Sequence, residues 1–353
     1  RRRAGGRRAW TRPGQPRRGD PARRGRALAR AGRAARARAL RPGGARAVTE
    51  LLALLAVSAA SVALLGALLG AAGVFTWVER RMLGFLQERL GPNRVGPFGF
   101  LQWVADTVKL VTKEDAVPPD ADAASFRLAP AIASAPILIG FGVAAAGPGL
   151  AISALDVGVL FVLGMLALTV YGIVLGAWAS RSGYALLGGM RAAAQMLAYE
   201  AFLGLSLMGV VMRSGGFSMG EIVAAQEGGW HLWSQPLGAA LFAVAAFAAA
   251  HRLPFDLPES ENDIVAGYMT EYSGMGFALF FLGEYLAILL VGALGATLFL
   301  GGWLGPDWLP GPVWMGLKTG AVALVFIWVR AVLPRPRYDQ AIAFAWKWAL
   351  PLA

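Results

Sequence analysis

The 353-residue sequence contains no cysteine and only two histidines, His231 and His251. Without cysteine the chain cannot form a disulfide, a cysteine-ligated iron–sulfur cluster or a thiolate nucleophile. A haem held by two imidazoles would need both histidines at one depth of one site. The apolar segment that separates them instead predicts that they lie on opposite sides of a membrane. We therefore expect any redox centre to belong to a partner chain.

Charged residues are also scarce. They make up 15% of the chain against 57% hydrophobic residues, and the mean hydropathy is +0.54. This composition is too apolar for a domain whose whole surface meets water, and it predicts a bilayer protein. The sequence has no Walker loop, no dinucleotide-binding glycine pattern after a strand and no metal-ligand spacing. Nucleotide chemistry and a metal site are therefore not expected in this chain.

The basic residues are concentrated in residues 1–47, which hold seventeen Arg, one Asp and no Ser. Residues 48–353 hold 16 Lys plus Arg against 20 Asp plus Glu, a formal charge of −4. The Arg-rich segment has too little apolar surface to offset its ordering entropy, so we predict disorder. A nucleic-acid arm, an anionic-lipid anchor and a transit peptide are possible interpretations. We favour a tail that is not part of the working protein, with a non-native origin as one explanation, and we expect no nucleic-acid partner.

Residues 48–353 form the predicted polytopic membrane domain, because about 20 apolar residues are needed for each membrane-spanning helix. The fold class expected is an all-α integral membrane protein with about eight transmembrane helices and one interfacial amphipathic helix. The last predicted helix is cut short by the chain end. The candidate spans are residues 51–77, 128–147, 156–179, 190–212, 236–251, 277–300, 313–333 and 341–353.

The loops between these spans differ in charge. Lys and Arg are concentrated in the odd-numbered loops, above all at residues 79–127. Positive residues stay on the cytoplasmic side during insertion, so the odd-numbered loops are predicted to be cytoplasmic in a bacterial plasma membrane. The expected functional loops lie at about 79–127 and 251–276.

The first of these loops contains an amphipathic pattern at Phe98–Lys113. One helical face carries the polar residues, and apolar residues fill the rest, which predicts a helix lying in the membrane interface. A surface helix packed on protein is the alternative. Asp106 and Lys109 are one turn apart and can pair. The polar face consists of Gln102, Asp106, Lys109 and Lys113.

Three charged residues end the first predicted span: Glu79, Arg80 and Arg81. Anchoring of the long side chains at the lipid surface explains arginines at a helix end without any function, and we favour that interpretation for Arg81. A carboxylate gains nothing from the negative inner leaflet, so Glu79 with Arg80 is predicted to be functional.

The loop at 251–276 is the densest candidate site. Asp256 with Glu259 three residues later resembles a helix N-cap and its partner. Carboxyl groups this close together near a membrane should hold protons more readily than usual and pass them on, whereas a solvated acidic loop is the alternative. The charged residues of this loop are Arg252, Asp256, Glu259, Glu261, Asp263 and Glu271.

Two further carboxyl groups, Glu200 and Glu284, lie well inside predicted spans. A charge at that depth costs about 2.5–3.5 kcal/mol on insertion scales, so each is a functional hypothesis, with a neutral hydrogen-bonded structural carboxyl as the alternative. The function expected is a protonatable relay along a hydrated path. Arg191 precedes Glu200 by nine residues and should face different neighbours.

Long stretches of this sequence resemble the motifs of the quinone-site membrane subunit of respiratory NADH:quinone oxidoreductase, the H subunit of complex I. The resemblance extends from about Glu79 to the C-terminus. It is carried, in order, by ERRMLGFLQERLGPNRVGPFGFLQWVADTVKLVTKED, LLGGMRAAAQMLAYE, RLPFDLPESENDIVAGYMTEYSGMGFALFFLGEY and WVRAVLPRPRYDQAIAFAWKWALPL. Three positions depart from the family pattern: His251 stands where a polar amide is common, Met269 where histidine is common and Gly276 where lysine is common.

The resemblance implies a membrane protein that houses quinone and contains no complete catalytic site by itself. Flavin and iron–sulfur clusters are then expected in partner subunits of the membrane and peripheral arms, with quinone as the substrate and no covalently bound cofactor. It also assigns two sets of residues. The quinone chamber and interface set is Glu79, Arg80, Asp106, Lys109, Arg252 and Asp256, and the proton-relay set is Arg191, Glu200, Glu259, Glu261, Asp263, Glu271 and Glu284.

Other functions agree with parts of the sequence. The equivalent subunit of a membrane-bound hydrogenase or ferredoxin-linked complex would share the fold but accept different electrons. A stand-alone proton or cation transporter would show internally repeated, broken helices, and no such repeat occurs. A nucleic-acid-binding membrane protein would depend on the Arg-rich tail alone.

Overall fold

A computed structural model describes residues 43–353 of the chain, with the side chains of residues 43–47, 261 and 262 outside the described set. The regular elements of residues 43–353 are all helical, which confirms the predicted fold class. Six helices in this part are long and apolar enough to cross a membrane. They are α1 (Gly43–Leu86), α3 (Ala123–Val143), α4 (Gly158–Ala179), α5 (Gly183–Ser214), α10 (Gly274–Phe299) and α11 (Gly311–Val332).

The two remaining predicted spans are present as shorter helices. The segment predicted at 236–251 is the apolar helix α8 (Pro236–Ala249), whose 14 residues are fewer than a full crossing needs. The segment predicted at 341–353 is α12 (Tyr338–Phe344), followed by a π-helical stretch, Ala345–Ala349, and a last turn, α13 (Leu350–Leu352). Tyr199 of α5 fixes this C-terminal part by donating a hydrogen bond to the Ala341 carbonyl.

Short elements make up the connections. They are the 3-10 turn Pro97–Gly99, α2 (Gln102–Thr112), α6 (Met219–Ala224), α7 (His231–Ser234), the 3-10 turn Leu257–Glu259, α9 (Glu261–Ile264) and the 3-10 turn Gly267–Met269. Helix α2 is the predicted amphipathic segment. Its position at a membrane interface stays a prediction.

The chain divides into two units, residues 1–58 and 59–353. Of the first unit, the structure describes residues 43–58, which are helical, and the described side chains there are exposed. The boundary falls inside the predicted membrane domain and does not coincide with the predicted tail boundary at residue 47. The predicted disorder of that tail concerns residues that lie mainly outside the described part.

Within the second unit, α10 is the most deeply buried of the spanning helices. It packs against α3 and α11, while α5 packs against α4 and α8. Small residues allow the closest approach, which is usual where helices pack in a bilayer. At Gly172 of α4, an added Cβ would collide with the backbone of Ala133 in α3.

The C-terminal end of α10 is fixed by side chains from other elements. Lys318 of α11 donates hydrogen bonds to the carbonyls of Leu300, Gly302 and Leu304 at 2.7, 2.9 and 2.6 Å. The ring of buried His231 donates from Nδ1 to the Leu298 carbonyl at 3.2 Å. The contact to Leu298 satisfies a carbonyl in the last turn that the helix leaves without a partner, and the contacts to Leu300, Gly302 and Leu304 fix the segment that follows. They also hold α10 in place for the cluster near its other end.

Candidate functional site

A buried arginine stands between two buried carboxyl groups near the N-terminal half of α10. Arg252 follows α8, and its two terminal nitrogens lie 3.7 Å from Glu79 Oε1 and 3.7 Å from Glu284 Oε2. All three side chains are at most 8% exposed. Burial of separate charges would be costly, and the alternation of signs offsets that cost. Arg252 therefore links α1 to α10 electrostatically.

Two more residues contact this group of three side chains. Arg330, at the end of α11, donates a hydrogen bond to Glu79 Oε1. Tyr285 presents its ring to Arg252, with the guanidinium carbon 4.3 Å from the ring centre, a cation–π arrangement. The end of α11 is thus joined to the end of α1.

Tyr268 connects the membrane carboxyl to the loop carboxyl. Its hydroxyl lies 2.8 Å from Glu259 Oε1 and 3.4 Å from Glu284 Oε1. A phenol has a single proton to donate, so at any moment it serves one of these acceptors. The resulting chain of polar contacts runs Arg330, Glu79, Arg252, Glu284, Tyr268 and Glu259, and we call it the charge chain.

Backbone packing fixes the loop that carries Tyr268. An added Cβ at Gly267 would collide with the Pro258 carbonyl, and Gly267 has φ +55°, a conformation that favours glycine. Buried Gln195 of α5 also holds the loop, because its Nε2 donates to the carbonyls of Ala248 and Phe255 at 3.2 and 2.8 Å. The loop is therefore positioned by its neighbours rather than by a helix of its own.

The electrostatics of the charge chain favour a charged arginine and a neutral tyrosine. Burial opposes the charge of Arg252, but Glu284, Tyr285 and Glu79 outweigh burial and raise the pKa of Arg252. Burial, followed by the negative charges of Glu259 and Glu284, raises the pKa of Tyr268 far above its usual value. Three carboxyl groups face two guanidinium groups in the chain, so one bound proton makes it neutral overall. From this neutral state, gain or loss of one proton leaves the charge chain with a net charge of only plus or minus one.

A large cavity of about 790 Å³ lies beside the charge chain, between α1, α2 and α10. Its walls are mostly apolar, and its charged residues are Arg80, Asp106 and Lys109. Arg80 donates to Asp106 at 2.7 Å, and Gln102 donates to the same carboxylate at 3.0 Å. The expected pairing of Asp106 with Lys109 is not the one formed, because the end of α1 brings Arg80 closer to the carboxylate than the helical neighbour.

The cavity and the charge chain meet at two points. Tyr285 lines the cavity and also contacts Arg252. Glu79, in the chain, precedes Arg80, in the cavity wall. The volume and the few polar groups suit a long apolar molecule with a polar head.

A second, smaller cavity of about 30 Å³ is lined by buried residues. Its polar lining comes from Thr169, His251, Tyr268 and Glu284. Burial lowers the pKa of His251, and the nearby Glu259 carboxylate only partly opposes this effect. The imidazole is therefore neutral near pH 7.

The other predicted relay residues lie apart from this cluster. Arg191 is 3.4 Å from Asp263 Oδ2, and its guanidinium carbon lies 5.6 Å from the ring centre of Tyr338. Glu200 lines a small cavity between α4 and α5 and has no hydrogen-bond or ion-pair partner in the described part of the chain. Glu271 is partly exposed in a turn. The side chain of Glu261 lies outside the described residues.

One interpretation of the loop at 251–276 needs correction, and one contact was not expected. Asp256 does not cap a helix with its side chain; instead its carboxylate forms a salt bridge with Arg335, with Nη2 2.6 Å from Oδ2. Asp256 pairs with Arg335 because a bidentate guanidinium–carboxylate contact is stronger than a single hydrogen bond from a backbone N–H. Arg81 donates to the carbonyls of Pro92 and Phe98, which fixes the turn after α1, and its anchoring at a lipid surface stays a prediction.

Sequence reasoning missed Arg330, Tyr268 and Tyr285 as members of the site. A single arginine at a helix end is ordinary, so nothing in the sequence singles out Arg330. Tyr285 directly follows Glu284, and such polar pairs deep in an apolar segment are the signal that could have pointed to it.

These observations define a class: an all-helical integral membrane protein with a buried chain of acids and arginines beside an apolar cavity. The comparisons with known proteins make the assignment narrower. Residues 59–353 match the family described as NADH dehydrogenase. The chain belongs to this family, and within it to the H subunits of NADH-quinone oxidoreductase, which confirms the resemblance seen in the sequence.

Three relatives show the extent of the similarity. The chain is 73% identical over 303 residues to the NADH-quinone oxidoreductase H subunit 2 of Cereibacter sphaeroides, covering 86% of this chain and 95% of the relative. It is 68% identical over 303 residues to the H subunit 1 of Rhodopseudomonas palustris, with the same coverage. It is 53% identical over 276 residues to the H subunit of Methylococcus capsulatus, covering 78% and 87%.

Proposed function

We propose that this chain forms the membrane side of a quinone-binding chamber in a proton-translocating NADH:quinone oxidoreductase, and that the charge chain links quinone reduction to proton translocation. The cavity between α1, α2 and α10 is the observation that carries the proposal. The names of the relatives support NADH and quinone as the redox partners, rather than hydrogen or ferredoxin.

The walls of the cavity suit the two parts of a quinone. Apolar residues of α1 and α10 accommodate the hydrocarbon tail, while Arg80, Asp106 and Lys109 form the polar region. The indole N–H of Trp103, which also lines the cavity, is buried and has no hydrogen-bond partner among residues 43–353. A quinone carbonyl offers an acceptor for that donor.

Reduction of a quinone to a quinol takes up two electrons and two protons. Negative charge that develops in a surrounding of low dielectric constant is stabilised by nearby cations and proton donors. Arg80 and Lys109 lie in the cavity wall, and Tyr285 joins the wall to Arg252. A negative charge formed in the cavity therefore changes the electrostatic interactions among Glu79, Arg252 and Glu284, and with them the proton occupancy of the two carboxyl groups.

The proposal includes the partners and the location. Electrons come from flavin and iron–sulfur clusters of other subunits, because this chain lacks the cysteines that such clusters need. The spanning helices lie in a bacterial plasma membrane, with the odd-numbered loops cytoplasmic. The proton relay extends from Glu259 and Glu284 toward Glu200, Glu271 and the Arg191–Asp263 pair.

Filling the cavity with a side chain tests the proposal. Gly70 of α1 lines the cavity, and an added Cβ there meets nothing within 4 Å. In Gly70→Phe the ring enters the cavity without a backbone clash. We expect lower labelling of this chain by a photoreactive quinone in the intact membrane complex, and at least a tenfold higher KM for a long-tailed quinone.

The matched control is Gly164→Phe on α4, where an added Cβ also meets nothing within 4 Å and which does not line the cavity. This variant should label and turn over as the parent does. If Gly70→Phe retains the parent's labelling and KM while the complex is fully assembled, quinone does not bind in this cavity.

A further inference from the structure

We propose that the small cavity beside His251 holds a water molecule that joins the ring of His251 to the carboxyl group of Glu284. The cavity has about 30 Å³. On this measure roughly 10–15 Å³ is enough for one water. The available space therefore fits one or two water molecules and no larger ligand.

The polar groups around the cavity meet the second requirement for a buried water. Such a water needs two to four hydrogen-bond partners. Thr169, His251, Tyr268 and Glu284 all line the cavity, and each brings a side-chain donor or acceptor. The remaining walls are apolar, so a water there is held by these four groups.

His251 supplies the most specific observation. Its side chain is 5% exposed, and its Nε2 is buried without a hydrogen-bond partner in the described part of the chain. A buried polar atom without a partner destabilises the fold, and a bridging water removes that cost. Glu284 also lines the cavity, and its carboxyl group has acceptor capacity beyond the contacts to Arg252 and Tyr268, so it offers a second attachment point.

The water connects the ring of His251 to the charge chain at Glu284. The water donates one hydrogen bond to Nε2 of the neutral His251 ring and meets the Glu284 carboxyl group with its remaining donor or acceptor, so it connects the two groups without a change of charge. The titratable groups around this ring are Glu284 and Tyr268, which line the same cavity, and Glu259, whose carboxylate acts on the ring, while Arg252 is the next residue in the sequence. The role of the water in proton transfer depends on the proposed function, whereas the water site depends only on the geometry.

The experiment uses the intact membrane complex. High-resolution cryo-electron microscopy of the parent should show density within hydrogen-bond distance of both His251 Nε2 and the Glu284 carboxyl group. Infrared difference spectra on quinone reduction should contain a water O–H band that shifts in H₂¹⁸O. Both signals should be lost in His251→Leu and kept in His251→Gln, whose amide accepts the same hydrogen bond.

His231→Gln is the matched control, because this other buried histidine lies before α8 and His251 lies after it. It should leave the density and the band unchanged. A dry cavity in a parent map that resolves waters elsewhere would overturn the proposal, as would an unchanged ¹⁸O-sensitive band in His251→Leu. If His251→Leu does not assemble, the parent map alone decides. A parent that holds the water but fails quinone labelling would contradict the proposed function and leave this site intact.

Discussion

Replacing one hydroxyl group tests whether the charge chain carries protons. Tyr268→Phe removes the hydroxyl that lies 2.8 Å from Glu259 and 3.4 Å from Glu284, and keeps the ring. The ring packs edge-on against Phe280 with 5.2 Å between centres, and that contact survives the substitution. The variant therefore isolates the hydroxyl from the packing.

The size of the effect follows from the geometry. The 3.4 Å contact is long, so one full hydrogen bond to a carboxylate is lost. Such a bond contributes about 1.5–3 kcal/mol. If this energy is lost from the rate-determining proton transfer, the rate falls by about 10- to 100-fold, since about 1.36 kcal/mol corresponds to a factor of ten.

The assay is quinone reduction together with proton uptake in vesicles that contain the assembled complex. Tyr272→Phe is the control, because Tyr272 is also buried and its ring also contacts Phe280, at 4.9 Å. Its hydroxyl donates to the Phe126 carbonyl at 3.0 Å and touches no member of the charge chain. This variant should lose about 1 kcal/mol of stability and keep its turnover.

Two results would refute the reasoning. Full coupled turnover in Tyr268→Phe would show that protons do not need this hydroxyl. An equal loss of turnover in both tyrosine variants would show that the effect comes from general loosening of the loop.

Two further predictions concern packing and pH. Gly188→Ala should impair turnover by displacing Tyr268, because the added Cβ would lie 2.6 Å from the backbone nitrogen of Tyr268. The control is Gly204→Ala on the same helix, which should keep its turnover because an added Cβ there meets nothing within 4 Å. Equal activities of the two variants would contradict the prediction. Burial, aided by the charge of Arg213 and opposed by the hydrogen bond to the Leu298 carbonyl, lowers the pKa of His231. The unfolded chain then binds more protons than the folded one below about pH 6.5, so stability should fall as pH drops through that range. Thermal melting against pH should show a flatter profile for His231→Gln, and identical profiles would contradict the assignment.

The sequence was sufficient for the helices but not for the partners of the polar residues. Long apolar runs predict spanning helices because a bilayer leaves few alternatives. Residue spacing predicts only local pairs, which is why it matches Asp106 with Lys109 instead of Arg80. Arg330 and Glu79 are 251 positions apart and meet only because the ends of α1 and α11 pack together. No periodic pattern contains that information.

The same limit applies to the loop at 251–276. Its acids are unusual in the sequence, but they go to different places: Glu259 joins the charge chain, Asp256 pairs with Arg335 and Asp263 pairs with Arg191. These acids are close in sequence but form separate pairs, because their side chains extend from the loop in different directions. The roles assigned to these residues stay predictions.

The last turns of α1 place two neighbouring side chains in different surroundings. Arg80 borders the large cavity, while Glu79 contacts the buried arginine. Consecutive helical residues are separated by about 100° around the axis. A tilt or rotation of this last turn of α1 must therefore change both the large apolar cavity and the buried ion pairs. A compound that binds beside Arg80 and moves this turn would also change the contacts of Glu79.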